Sequence, residues 1–160
     1  PITLMKRWVY LDSSKSNCWI RVRDEADRIT LSYKSFNSAR TIDSVQELEL
    51  TVDDFDKTCQ MVELLGFQKT RYVENMREVW QLDDCLLMID QWPGLEQFVE
   101  VEGPSKKEVE KVVDKLGLDL QSGTYGPTAR LYEQEYGISK EEYDQIKELT
   151  FDHIPVILKK

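Results

Sequence analysis

Residues 19–34 read WIRVRDEADRITLSYK, and the reading of this stretch decides the fold. Apolar and polar residues alternate on both sides of a polar turn, the period of two that sends successive side chains to opposite faces of a strand. Arg21 and Arg23 therefore share one face, and Ile20 and Val22 share the other.

Working outward, the first half of the chain is rich in aromatic and β-branched residues at alternating positions, which predicts strands near 3–11, 18–24, 28–35 and 45–52. At residues 53–65, DDFDKTCQMVELL, the period changes. Phe55, Cys59 and Val62 fall on one helical face, Asp53 can cap the start and Gly66 can end the helix. A long β-like run from Phe67 to Asp83 follows, then a turn at Asp83-Asp84 and strands near 85–91 and 97–102, joined by Trp92-Pro93-Gly94. Ser105 and Glu108 have capping-box spacing and open a helix that Gly117 closes; residues 127–136 and 139–148 read as two further short helices.

Length and charge bound the function. A chain of 160 residues suits one domain with an adequate core. A net charge of −9 argues against binding nucleic acid or an anionic membrane by bulk attraction, so any phosphate site must be local. Cys18, Cys59 and Cys85 form neither a disulfide framework nor a metal knuckle, a pattern suited to a reducing cytoplasm, and they read as ordinary buried or half-buried residues. No apolar run is long enough for a membrane helix. The chain opens at Pro1 directly into the strand-like PITLMKRWVY, and we read this start as truncated. The single histidine, His153, has no evident acid-base partner, and the four tryptophans read as core residues.

Several strands carry charged residues two apart: Arg21/Arg23, Glu47/Glu49 and Glu100/Glu102. Lys34, Arg77 and Asp90 lie on neighbouring strands where the apolar alternation turns them to the same face. The opposite face carries Ile20, Val22, Leu48, Leu50, Val99 and Val101, expected to pack beneath helices. Alternation alone equally describes the wet side of a half-buried sheet. The signs, however, are sorted by strand, whereas solvated sheets mix them. If the charged face closes inward, basic and acidic groups converge on one hollow that needs a compensating ligand, and a polyphosphate with a divalent metal supplies one.

In this setting WIRVRDEADRITLSYK, VQELELTVDDFDKTCQMVELLGF, YVENMREVWQLD and LLMIDQWPGLEQFVEVEGPS resemble successive blocks of the CYTH family, the triphosphate-tunnel group with adenylate cyclase-like and thiamine triphosphatase-like members. The resemblance spans about residues 5–120, and ELTFDHIP resembles the tail of some bacterial members. It implies an α+β fold: an antiparallel β-barrel or tunnel, eight-stranded in the family and about seven-stranded here, with flanking helices. The chain is then a single domain, its barrel core at about 3–103 and its C-terminal helices and tail at about 104–160. The resemblance also implies a small-molecule triphosphate partner (ATP, an inorganic or an organic triphosphate), Mg²⁺ or Mn²⁺ as cofactor, and cleavage of a phosphoanhydride. A homodimer is compatible with it.

Carried over by position, Arg7, Arg21, Arg23, Lys34 and Arg77 are the implied phosphate ligands, although strand 3–11 admits two registers for Arg7. Glu47, Glu49 and Asp90 are the implied catalytic carboxylates, and Glu100, Glu102 and Asp90 the implied metal ligands. Two departures stand out. The family's acidic-x-acidic-x-lysine first strand has no counterpart in residues 1–160, and Asn75 stands where many members have lysine. The enzyme therefore competes with two other readings: a module that binds triphosphate without turnover, and an open-sheet interaction protein whose charged face is merely wet.

Overall fold

In the computed structural model, which describes residues 1–12, 15–36 and 45–159, the predicted strands pair into one antiparallel sheet. Its strands are β1 (Thr3–Asp12), β2 (Lys15–Asp24), β3 (Ile29–Phe36), β4 (Val45–Val52), β5 (Gln68–Leu82), β6 (Cys85–Gln91) and β7 (Phe98–Glu102), in the spatial order β4-β3-β2-β1-β5-β6-β7. Helix α1 (Phe55–Leu64) lies between β4 and β5 in sequence; α2 (Lys106–Lys115), α3 (Ala129–Tyr136) and α4 (Lys140–Gln145) follow β7.

The fifteen-residue β5 is the spine of the sheet. Residues Gln68 to Arg77 pair with β1 on one side, and Met76 to Leu82 pair with β6 on the other. Each half of β5 thus has one side left over. Along the first half that gap is filled by β8 (Glu148–Leu149), which runs parallel to Tyr72 and Val73. A register shift beside Thr70, whose hydroxyl donates to the Val9 carbonyl at 2.9 Å, adds the local twist of a bulge where the sheet turns.

Two apolar clusters hold this sheet from opposite sides. Tyr10, Ile20 and Val22 pack against Cys59 and Val62 of α1, with Trp8, Ile29, Leu31, Tyr33, Phe55 and Phe67 around them. On the other face, Val73 packs with Trp92, Tyr132, Ile138, Tyr143, Ile146, Leu149 and Leu158. Arg71 fastens this C-terminal unit to β5, donating from Nε to the Ile146 carbonyl at 2.9 Å and from Nη2 to the Tyr143 carbonyl at 3.0 Å. All three cysteines are buried free thiols, in line with the sequence.

Four expectations need correcting. The N-cap of α1 is Asp54, not Asp53: the helix starts one residue later, so it is the Asp54 carboxylate that reaches the Lys57 N–H, at 2.8 Å. The 139–148 segment is not one helix, because α4 ends at Gln145 and the chain turns extended to place Ile146 and Leu149 in the core, leaving Glu148–Leu149 to join the sheet. Its predicted capping box does form, between Ser139 and Glu142. Leu48 (59% exposed), Leu50 (52%) and Val99 (43%) are not covered, since they sit on the end strands β4 and β7 while α1 packs over β1–β3. Trp80 is likewise exposed rather than core.

Leu149 has no solvent exposure, so Leu149→Ala is expected to lower the unfolding free energy by about 2–5 kcal/mol. Leu48→Thr is expected to change it by less than about 0.5 kcal/mol. Urea denaturation of both variants measures the contrast.

Candidate functional site

Cross-strand register shows which side chains share a face. Glu49 lies opposite Ser32, Ser32 opposite Arg21, and Arg21 opposite Val9; one step along, Thr30 lies opposite Arg23 and Arg23 opposite Arg7. Arg7 lies opposite Val73, and two residues on from Asn75 along β5, Arg77 lies opposite Asp90. Met88, two before Asp90, lies opposite Glu100. Arg23 and Glu102 therefore fall on one face of one sheet, as the sequence reading requires, and Lys34 and Glu47 face each other at its far end. Thr30, Ser32, Asn75 and Asp90 on this face are buried while Leu48, Leu50, Trp80 and Val99 on the other are exposed, the asymmetry of a sheet curled toward its charged side.

Most of the charges on this face are already matched. Arg77 makes a two-pronged bond to Asp90 (Nε to Oδ1 2.7 Å, Nη2 to Oδ2 2.5 Å) and reaches Glu100 at 2.8 Å. Lys34 pairs with Glu47 at 2.9 Å, and Arg21 reaches Glu49 at 3.4 Å. The strand-sorted signs thus resolve into cross-strand pairs. Arg23 pairs with Glu25, a buried carboxylate at the β2–β3 turn that also holds Arg28. The sequence reading missed Glu25, and its only local signal is the i,i+3 spacing to Arg28. It also missed Ser32, whose hydroxyl donates to Glu49 at 2.6 Å.

Arg7 is different. Its side chain is buried, and its Nε and Nη2 have no hydrogen-bond partner among the described residues. Burial pushes its pKa down to about 9, with repulsion from Arg21, Arg23 and Arg77 adding to the effect and Asp90 opposing it. Around it, Arg21 Nε and Arg23 Nε are also buried without acceptors among the described residues. Burial and the neighbouring Arg23 depress Arg21 as well, partly offset by Glu49. An unmatched buried donor costs about 1–3 kcal/mol and a charged one more, so this cluster is a ready-made acceptor-binding surface. Asn75 donates to Asp90 Oδ1 at 3.4 Å and leaves its own Oδ1 unmatched.

The acidic residues divide by environment. Burial alone would raise the Glu49 carboxyl, but the Ser32 hydroxyl and the Arg23 and Arg21 charges outweigh it and hold it below its ordinary value. Burial raises the Glu100 carboxyl; Arg77 opposes this, and Glu102 and Asp90 reinforce it. Asp90, Glu100 and Glu102 are an all-oxygen set of the kind hard divalent ions prefer. Yet Asp90 and Glu100 converge on Arg77, and among the described residues no three His, Cys, Asp or Glu side chains are grouped to hold one ion. As arranged, the arginine cluster fits an anion, while among the described residues the carboxylates are not grouped to hold a metal by themselves. Two open clefts, of about 430 and 720 Å³, lie away from this face, the first beside His153 and the second beside Trp8 and Lys69.

Because Arg7 is an uncompensated buried charge, Arg7→Met in ligand-free protein is expected to melt at or above the wild-type temperature. The depressed Glu49 carboxyl contributes stability that is present at neutral pH and lost as pH falls through its folded-state value. Glu49→Gln should therefore be slightly less stable at pH 7, by under about 1 kcal/mol because the group is partly exposed, with the deficit closing below about pH 4. Chemical denaturation from pH 3 to 7 checks the sign.

Comparison with known proteins places this geometry. The family model described as the CYTH domain matches residues 9–136. The chain is 27% identical over 99 residues to a Methanocaldococcus jannaschii protein named “Putative adenylate cyclase MJ0240”, covering 61% of this chain and 57% of that protein, so it spans little more than half of that relative's length. Among solved structures, a Vibrio parahaemolyticus protein carrying the same adenylate cyclase designation superposes with a TM-score of 0.66 at 9% identity, over 81% of this chain and 79% of that one. The PH1012 protein of Pyrococcus horikoshii superposes with a TM-score of 0.62 at 20% identity, over 76% and 77%. At these identities the structural likeness speaks for the fold alone, and the family match covers most of the sequence: the chain belongs to the CYTH domain family.

Proposed function

We propose that the curled face binds the phosphate chain of a small-molecule triphosphate and that the protein cleaves a phosphoanhydride bond in it, by hydrolysis or by cyclisation of ATP. The observation that carries this reading is Arg7, a buried guanidinium with two unmatched donors among three other arginines. A bound polyphosphate supplies the acceptors these donors lack, and its charge relieves their mutual repulsion. In a chain of net charge −9, the attraction is confined to this hollow.

In this reading Arg7, Arg21 and Arg23 hold phosphate oxygens, with Lys34 and Arg77 at the two ends of the face. Their charge stabilises the phosphoryl group as the bond breaks. Water attacking phosphorus releases phosphate or pyrophosphate; a ribose 3′-hydroxyl attacking the α-phosphorus releases pyrophosphate. Glu47 and Glu49 would orient the attacking group; Glu49, held below its ordinary value by Ser32 and the arginines, is better suited to accepting a hydrogen bond than to storing a proton. Glu100, its carboxyl raised, is the member of the acidic set better matched to proton exchange. The family suggests dependence on Mg²⁺ or Mn²⁺, for which Asp90, Glu100 and Glu102 would be the oxygen donors. The engagement of Asp90 and Glu100 by Arg77 favours a second reading, retention of triphosphate without turnover.

The test is titration of tripolyphosphate by calorimetry, followed by incubation with ATP, tripolyphosphate or thiamine triphosphate with and without Mg²⁺ or Mn²⁺. Phosphate, pyrophosphate and cyclic nucleotide are the products measured. The expected result is binding that weakens at least tenfold in Arg7→Met, and metal-stimulated product formation that Glu100→Gln reduces by about 10²-fold or more. Binding without product selects the second reading; no heat of binding for the wild type rejects both.

A further inference from the structure

The residue beneath Arg7 is Trp92. The Arg7 guanidinium carbon lies 4.9 Å from the centre of its ring, within cation–π range. Trp92 is buried, and its indole Nε1 has no hydrogen-bond partner among the described residues. It sits directly before the β6–β7 turn, where the Leu95 N–H donates to the Trp92 carbonyl at 3.0 Å. Helix α3 grips that turn from below. The Tyr132 hydroxyl donates to the Pro93 carbonyl at 2.7 Å, and the Tyr136 hydroxyl donates to the Gly94 carbonyl. Gly94 has φ +82, and a Cβ there would come within 3.1 Å of the Tyr136 hydroxyl, so the turn and the helix meet as a matched pair.

Among the described residues Arg7 has no acidic partner in hydrogen-bond contact. What fixes it is the aromatic ring, and what fixes the ring is the C-terminal cluster of Tyr132, Tyr143, Ile146 and Leu149 in which Trp92 is embedded. An aromatic face is an apt holder for a ligand-binding cation: it attracts the charge without using up its N–H donors, which a carboxylate would do.

We propose that Trp92 is a positioning residue of the anion site, its ring holding the Arg7 guanidinium with free donors toward the curled face, and that α3 serves the site through this contact. This rests on the triphosphate reading above and adds to it the element that orients its central ligand. Trp92 acts through Arg7 and not on the phosphate chain itself.

The experiment is a double-mutant cycle read by calorimetric titration of tripolyphosphate at fixed ionic strength, on wild type, Trp92→Leu, Trp92→Phe, Arg7→Met and the Trp92→Leu/Arg7→Met pair. Trp92→Leu is expected to weaken binding about 5- to 30-fold, and Trp92→Phe, which keeps an aromatic face, to stay within about 3-fold of wild type. In the Arg7→Met background the Leu substitution should have no further effect, because the contact it removes is already gone. Full affinity in Trp92→Leu, or a loss that persists undiminished without Arg7, overturns the proposal; so does a Trp92→Phe variant as weak as Trp92→Leu. If the wild type itself does not bind tripolyphosphate, the failure belongs to the triphosphate reading. Far-UV circular dichroism and melting curves taken beside each titration confirm that the variants compared are folded.

Discussion

Among the described residues no carboxylate forms an ion pair with the Arg7 guanidinium, and much of the surrounding architecture bears on that fact. A buried cation with empty donors is among the more costly groups a fold can carry. Here it lies opposite Arg23 on the neighbouring strand and is repelled by Arg21 and Arg77 as well. Elsewhere on the same face the protein follows the usual solution: Arg77 takes Asp90 and Glu100, Lys34 takes Glu47, and Arg23 takes Glu25. The exception at Arg7 is what sets this face apart from an ordinary network of ion pairs.

The sheet makes this concentration of charge tolerable by holding it between two separate cores. The cluster under α1 anchors β1 and β2 from the outer side, so Tyr10, Ile20 and Val22 secure the strands whose intervening residues are Arg7, Arg21 and Arg23. The cluster around Tyr132 and Leu149 braces β5 and the β6–β7 turn from the charged side. Each strand thus has its destabilising residues interleaved with strongly stabilising ones, a division that only a period of two permits.

That period is also why much of the arrangement was legible beforehand. Arg21 and Arg23, or Glu100 and Glu102, must share a face whatever the neighbouring strands do, and family likeness implied that the strands form one antiparallel barrel or tunnel. Arg7 was harder, because strand 3–11 admitted two registers until its pairing with Arg23 and Val73 settled one. Coverage was legible only in part: Ile20 and Val22 do lie beneath α1, but alternation puts Leu48, Leu50 and Val99 on the same face and cannot say that α1 stops short of them. Trp92 was read as a core aromatic at the start of a turn, and it is buried. Its contact with Arg7 depends on a residue of β1, two strands away, and no local pattern carries it. Glu25 was passed over for the same reason, as a turn carboxylate whose partners are known only once β2 and β3 are joined.

The two-residue strand β8 has a further consequence for the order in which the molecule can be built. Among the described residues, the members of the core beneath α1 all lie at or before Phe67, so that core can consolidate while later residues are still emerging from the ribosome. The bridge from Val73 to Leu149 must wait until Leu149 has been synthesised. Trp92 and the tyrosines packed with Leu149 settle only then, so the support behind the charged face matures after the support beneath α1.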